Sequence, residues 1–207
     1  AIASYGIEEP TDISKEVTAK FVSLEEKVES INDMENPYGF SKEKEVSFDK
    51  ISRSNGYLSG SDCVLEIINS LYPVHYDIIC QHMAPLYGNM KATVKVRREV
   101  DYCIRQLGKK VVKKEDFYYP AGHKEVIPRV NSRKIIHISV DELAEAMYVV
   151  LSKNIGLTKE QLCSECAHAY NFQRMTANIS LAMNEAFDIL LSQKRIEIIE
   201  EKVNISK

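Results

Sequence analysis

Residues 91–110 read KATVKVRREVDYCIRQLGKK. On a helix of 3.6 residues per turn, Lys91, Lys95, Arg98, Tyr102, Arg105 and Lys109 follow steps of four and three and share one face. Val96, Val100, Cys103, Ile104 and Leu107 occupy the opposite face. Thr93 stands where a hydroxyl caps a first turn, and Gly108 where a chain leaves a last one. The stretch therefore predicts an amphipathic helix with an apolar side for a core and a basic side outward. Two readings compete for that basic side. Any surface helix needs a charged face, and Lys and Arg are good helix formers there. A neutral wet face, however, mixes signs at i and i+4, and this stripe contains no acid, as a phosphate-contacting surface requires.

The surroundings extend the pattern. Upstream, a helix carrying Val64, Leu65, Ile68 and Leu71 stops before Pro73, and a second carrying Ile78, Ile79 and Met83 runs to a turn at Gly88. Downstream, KVVKKEDFYYP has two strand-like ends, Val111-Val112 and Phe117-Tyr118-Tyr119, around charged turn residues. Lys110, Lys113 and Lys114 carry the positive charge into this ribbon. From Ser139 the same order returns. Ser139 and Glu142 form an expected capping box ahead of Leu143, Met147, Val150 and Leu151, and Thr158 and Gln161 another ahead of Leu162, Cys166 and Tyr170. A third helix carries Ile179, Met183, Phe187 and Leu190, and RIEIIEEKVNIS closes as a ribbon. An offset of 83 or 84 lays Ile78 on Leu162, Val100 on Met183, Ile104 on Phe187 and Leu107 on Leu190.

The expected fold is thus mainly α with small β hairpins, an α+β arrangement of two winged helix-turn-helix-like units in tandem. The units span residues 61–121 and 139–207, joined by a linker at 122–138 and preceded by an acidic helix and connector at 1–60. Within that leader, Val17, Phe21, Leu24, Val28 and Ile31 make a coiled-coil-like seam on a helix at 13–33, which must dock on the body, on another chain or on a missing part of a parent. The connector holds breakers at Asn36-Pro37, Tyr38-Gly39 and Asn55-Gly56, with a short strand expected near Val46–Ile51.

Bulk properties narrow the class. The 207 residues are 44% apolar, which suits a packed globular chain. No apolar run approaches the roughly 18 residues of a membrane span, and AIASYGIEEP resembles no signal peptide, so a cytoplasmic location away from membranes is expected. A start at Ala1 without Met is the expected mark of a fragment of a longer parent. Five cysteines, an odd number that includes apolar helix positions, fit a reducing compartment. The net charge of −3 conceals an asymmetry: residues 1–50 hold twelve acids against six lysines, whereas 89–114 hold nine Lys or Arg against Glu99 and Asp101. Such a local excess of positive charge points to an anionic partner.

The stretches YPVHYDIICQHMAPLYGNMKATVKVRREVDYCIRQLG, DFYYP and ISVDELAEAMYVVL together resemble an uncharacterised domain at the C-terminal end of large bacterial proteins related to superfamily I DNA/RNA helicases. The resemblance covers about Val64 to Val203 and rests on order and spacing. It implies a non-catalytic appendage that follows an ATP-dependent motor, and commonly an endonuclease-like segment, in the parent, with the motor of the same chain as a partner. No catalytic residues are established for the appendage. The chain itself offers no phosphate loop: in CIRQLGKK, Cys103 stands where the first loop glycine belongs and Lys110 where Ser or Thr would meet magnesium.

The remaining candidates have ordinary explanations. Cys163, Cys166 and His168 in CSECAH supply half a zinc motif without a second half, and Cys80 with His82 supplies less. His75 and Asp77, with Ser70 nearby, could be drawn as a base and nucleophile, but PVHYD reads first as a helix start whose side chains meet free amides. No metal, cofactor or catalytic residue is expected in this fragment. Nucleic-acid backbone is the expected ligand, through Lys91, Lys95, Arg98, Tyr102, Arg105 and Lys109 with Lys110, Lys113 and Lys114 in support. The alternative is a protein-docking or assembly module, with a homo-oligomer or protein partner held by the 13–33 helix and no nucleic-acid binding of its own.

Overall fold

The computed structural model describes residues 36–130 and 132–206, and the expected helix at 13–33 lies outside them. Described elements follow the order β1 (Ser41–Lys42), β2 (Arg53–Ser54), β3 (Tyr57–Leu58), α1 (Gly60–Leu71), β4 (Val74–His75), α2 (Tyr76–Met83), α3 (Val94–Leu107), β5 (Val111–Lys114) and β6 (Phe117–Pro120). They continue with β7 (Arg129–Val130), α4 (Val140–Lys153), α5 (Lys159–Ala169), α6 (Ala177–Ser192), β8 (Ile196–Ile199) and β9 (Lys202–Ile205). Single 3-10 turns lie at Pro85–Tyr87, Gly108–Lys110 and Ile135–His137. The fold is α+β, and no helix among the described residues is long and apolar enough to cross a membrane.

The helices start where hydroxyls can satisfy their free amides. Ser59, Thr93, Ser139, Thr158 and Thr176 each accept a backbone N–H of the first turn, and His75 does so through Nδ1 for α2. Three helices and a hairpin occur in that order twice, with the third helices beginning 83 residues apart at Val94 and Ala177. Each set closes its own core. Val64, Ile67, Ile68, Leu71, Ile79, Met83, Val96 and Val100 are sealed in the first, and Leu143, Met147, Leu162, Met183, Phe187 and Leu190 in the second. The first hairpin is widened by β4 into a sheet of order β4-β6-β5, while β8 and β9 pair alone.

Two expectations need correction. No strand forms at 46–51, because Ser47 and Asp49 bond to each other locally and Ile51 N–H closes a turn on Phe48 O, 3.1 Å away. The pairing falls instead on β2 and β3, which turn over Asn55 and Gly56, both at positive φ (53° and 81°) as a tight hairpin demands. The second correction concerns Glu142. Ser139 caps α4 as expected, but the Glu142 carboxylate does not return to the cap as it would in a capping box; it turns inward to two arginines. The Thr158–Gln161 box is complete.

Those arginines join the halves. The Glu142 side chain is fully buried. Its Oε1 accepts from Arg129 N–H (3.0 Å) and Arg133 (2.5 Å), and its Oε2 accepts from Arg129 (3.2 Å) and Arg133 (3.0 Å). The Arg129 guanidinium also donates to Leu71 O (2.7 Å) and Pro73 O (3.0 Å), at and beyond the C-terminus of α1. That end carries no basic residue in its last turn, so a cation from a distant segment caps it. The residues read as a connector take part as well. β1 runs parallel to β7 with Ser41 opposite Arg129, Phe40 enters the second core, and Val46, Phe48, Ile51 and Leu58 pack on the first.

Removing one partner from such a site strands buried charge. Glu142→Gln is expected to cost about 3–5 kcal/mol in denaturant unfolding. Glu145→Gln, which breaks the half-exposed pair with Arg195, is expected to cost about 1 kcal/mol or less.

Candidate nucleic-acid interface

The orientation of α3 follows from its apolar side. Val96, Val100, Cys103 and Leu107 are buried against α1 and α2, and Gly60 at the start of α1 leaves room for Cys103, whose Sγ would lie 2.9 Å from any added Cβ. Thr93 Oγ1 accepts Val96 N–H at 3.3 Å and fixes the entry. The opposite side must then face outward. Lys95, Arg98, Tyr102 and Arg105 on α3 are exposed, Tyr102 by 53%; Lys91 and Lys109, expected on the same helix face, are exposed too but lie in a bend before α3 and in the 3-10 turn after it.

Electrostatics separates these groups from their neighbours. Arg97, one step off the stripe, donates to Asp77 Oδ1 at 2.7 Å and lies over the Tyr76 ring. Asp101 accepts from Tyr76 Oη at 2.7 Å. Both flanking charges are thus engaged in holding α3 on α2. Among the described residues, Lys91, Lys95, Arg98, Arg105 and Lys109 have no ion-pair partner.

The hairpin divides its lysines. Lys110 and Lys113 are exposed and unpaired among the described residues, with Lys113 Nζ 5.7 Å from the centre of the Tyr118 ring. Lys114, on the other side of β5, bonds Asp141 Oδ2 at 2.8 Å and covers the Tyr119 ring. It belongs to the junction with α4 rather than to the basic face. Tyr118 and Tyr119 are buried, as hairpin packing required.

The equivalent helix of the second half is different in kind. α6 buries Ile179, Met183, Phe187 and Leu190, chiefly against α4, and exposes Leu181, Glu185 and Asp188. It presents no positive stripe.

The cysteine motif does not assemble. Cys163 and Cys166 are buried while His168 is exposed, and burial pushes the Cys163 thiol up to about 11 and that of Cys166 higher still. Neutral thiols in a packed helix are poor metal ligands. His75 caps α2, the role its position in PVHYD suggested, with Nδ1 accepting Asp77 N–H at 3.1 Å. A residue singled out by no sequence signal joins it: His137, from the linker, lies against His75 with ring centroids 4.9 Å apart and ring planes tilted by 44°. Burial pushes both imidazoles below their ordinary range, and in His137 the neighbouring His75 adds to the effect.

No family model, curated protein or solved structure matches this chain.

Asp141 offers a test of the hairpin junction. Burial alone would raise its carboxyl, but hydrogen bonds from Lys114 and from Tyr119 Oη (2.8 Å) outweigh that and hold it below the usual range. A carboxyl depressed in the folded state contributes stability that is complete above about pH 4 and lost as pH falls through its folded value. Lys114 is half-exposed, so the contribution is small, about 1 kcal/mol or less. Asp141→Asn is expected to lower the melting temperature at neutral pH and to flatten its decline below about pH 4, measured by circular dichroism.

Proposed function

We propose that this chain is a non-catalytic tandem winged-helix-like module that holds nucleic-acid backbone on the outward face of α3, and that it serves as an accessory to a helicase-like parent. One observation carries the reading: exposed cations, Lys95, Arg98 and Arg105 on α3 with Lys91 just before it and Lys109 just after it, each without an ion-pair partner among the described residues, while the acids nearest to them are committed elsewhere or stand off the stripe. A helix merely solvated on that side gains from ion pairs at i+4, yet Glu99, four residues after Lys95, makes no ion pair with it, and Asp101, four before Arg105, is taken by Tyr76. The adjacent hairpin adds Lys110 and Lys113, in the manner of a wing flanking a presented helix. Lysine-rich chemistry of this sort contacts phosphate rather than base edges, and Tyr102 at the centre of the row provides a flat ring for a sugar or an unpaired base.

A second reading, docking of a protein, is favoured by the exposed apolar side chains on the other half, Ile155 and Leu181 among them. Salt separates the two. With labelled duplex and single-stranded DNA, anisotropy titrations are expected to give an affinity that falls with salt on a log–log slope of about −4 to −5, for four to six phosphates met. The triple reversal Lys95→Glu, Arg98→Glu and Arg105→Glu is expected to abolish binding, whereas Lys114→Gln leaves the affinity unchanged. Absence of micromolar binding, or binding retained by the reversal, would assign the row to a solvated face and the module to protein docking.

A further inference from the structure

Away from the basic face, three side chains with metal-binding atoms converge where the first half meets the segment leading to the second. His75 ends β4, Asp77 stands in the first turn of α2, and His137 closes the 3-10 turn before α4. One ligand-capable atom from each lies within 4.8 Å of the others. Asp77 Oδ2 is 3.9 Å from both His75 Nδ1 and His137 Nε2. Both imidazoles are nearly enclosed, their side chains 12% and 11% exposed.

The supporting contacts fit coordination. Arg97 holds Asp77 Oδ1 at 2.7 Å, which orients the carboxylate and leaves Oδ2 toward the imidazoles. The His137 ring makes no hydrogen bond among the described residues, although it is largely out of water. The cap of α2 is also unlike the rest. The other five described helices are capped by Ser or Thr hydroxyls, whereas α2 uses an imidazole nitrogen, whose lone pair can pass from a backbone N–H to a metal.

We propose that His75 Nδ1, Asp77 Oδ2 and His137 Nε2 bind a divalent first-row transition metal ion of the zinc class. Two imidazoles and one carboxylate form a donor set suited to such ions and leave a position for water. Ligand atoms around one tetrahedral zinc, at bonds of about 2.0–2.1 Å, stand roughly 3.3 Å apart, so on binding each Asp77–histidine separation closes from 3.9 Å by about 0.6 Å and the widest separation, at most 4.8 Å, by up to about 1.5 Å, which side-chain rotation supplies. Coordination replaces the hydrogen bond that His75 Nδ1 accepts from Asp77 N–H. The ion ties the start of α2 to the segment that carries Arg133 and leads into α4, which makes it a cross-link between the halves.

The test uses the full chain, stripped with a chelator and titrated separately with Zn²⁺ and Co²⁺. Metal analysis after equilibrium dialysis is expected to give one ion per chain, with visible Co²⁺ absorbance and a metal-dependent rise in melting temperature. His75→Asn keeps an acceptor at the helix cap and His137→Gln keeps a polar side chain of similar reach. Each is expected to weaken binding by about tenfold or more and to abolish the thermal shift, with the apo protein still folded by circular dichroism. Paired Cys163→Ser and Cys166→Ser replacement is expected to leave binding intact. No stoichiometric uptake by the parent chain, or uptake that survives both histidine variants, would overturn the site. The readout involves no nucleic acid, so its failure and that of the α3 reading are separate events.

Discussion

The buried carboxylate of Glu142 is the constraint on which the arrangement of the halves depends. A carboxylate removed from water needs several donors, and this one receives four hydrogen bonds from two arginines. Two guanidiniums against one carboxylate leave an excess of positive charge, which is met by the carbonyls of Leu71 and Pro73 at the exit of α1 and by Arg129 O. Burial works against the charge on Arg133, yet the Glu142 carboxylate holds its guanidinium above the ordinary range, so Arg133 stays charged. Hydrophobic packing alone would allow two separately closed cores to pivot. A charged network whose donors come from the linker and whose acceptors come from both halves permits few relative orientations.

That constraint reaches the basic face through short steps. Arg129 fixes the end of α1, and α1 and α2 supply the surface on which α3 rests. Arg97 and Asp101 then hold α3 in rotation about its own axis through Asp77 and Tyr76. Turning α3 outward would release apolar side chains, and turning it further inward would bury unpaired lysines. The stripe faces outward because every alternative costs more.

Much of this was legible in the sequence, for a definite reason. Helix starts at Thr93, Ser139 and Thr158 are local decisions, made between a hydroxyl and amides within one turn, and the apolar steps of α3 and α6 report directly on what each helix buries. The rest is long-range. Ser139 and Glu142 fit the spacing of a capping box, but a carboxylate serves the strongest donors within reach, and those are arginines whose proximity depends on the folded linker. His137 lies in a segment without periodicity, and nothing local marks it as the neighbour of His75. The strand expected at 46–51 failed locally, since Ser47 and Asp49 offered the backbone a turn in place of a ladder.

The two halves share one order of three helices and a hairpin and differ in what the third helix exposes. α3 and α6 occupy the same place in their sets and bury the same kind of stripe, Val96, Val100 and Leu107 in one and Ile179, Met183, Phe187 and Leu190 in the other. Core positions are bound by packing, where a single misplaced methylene is felt. Outward positions are bound by nothing in the fold, so Lys95, Arg98 and Arg105 on one helix and Leu181, Glu185 and Asp188 on the other are equally compatible with it. A difference that stability does not require is where function is to be sought. In this chain that difference is the sign of charge on the third helix, and only the first half carries the sign that attracts phosphate.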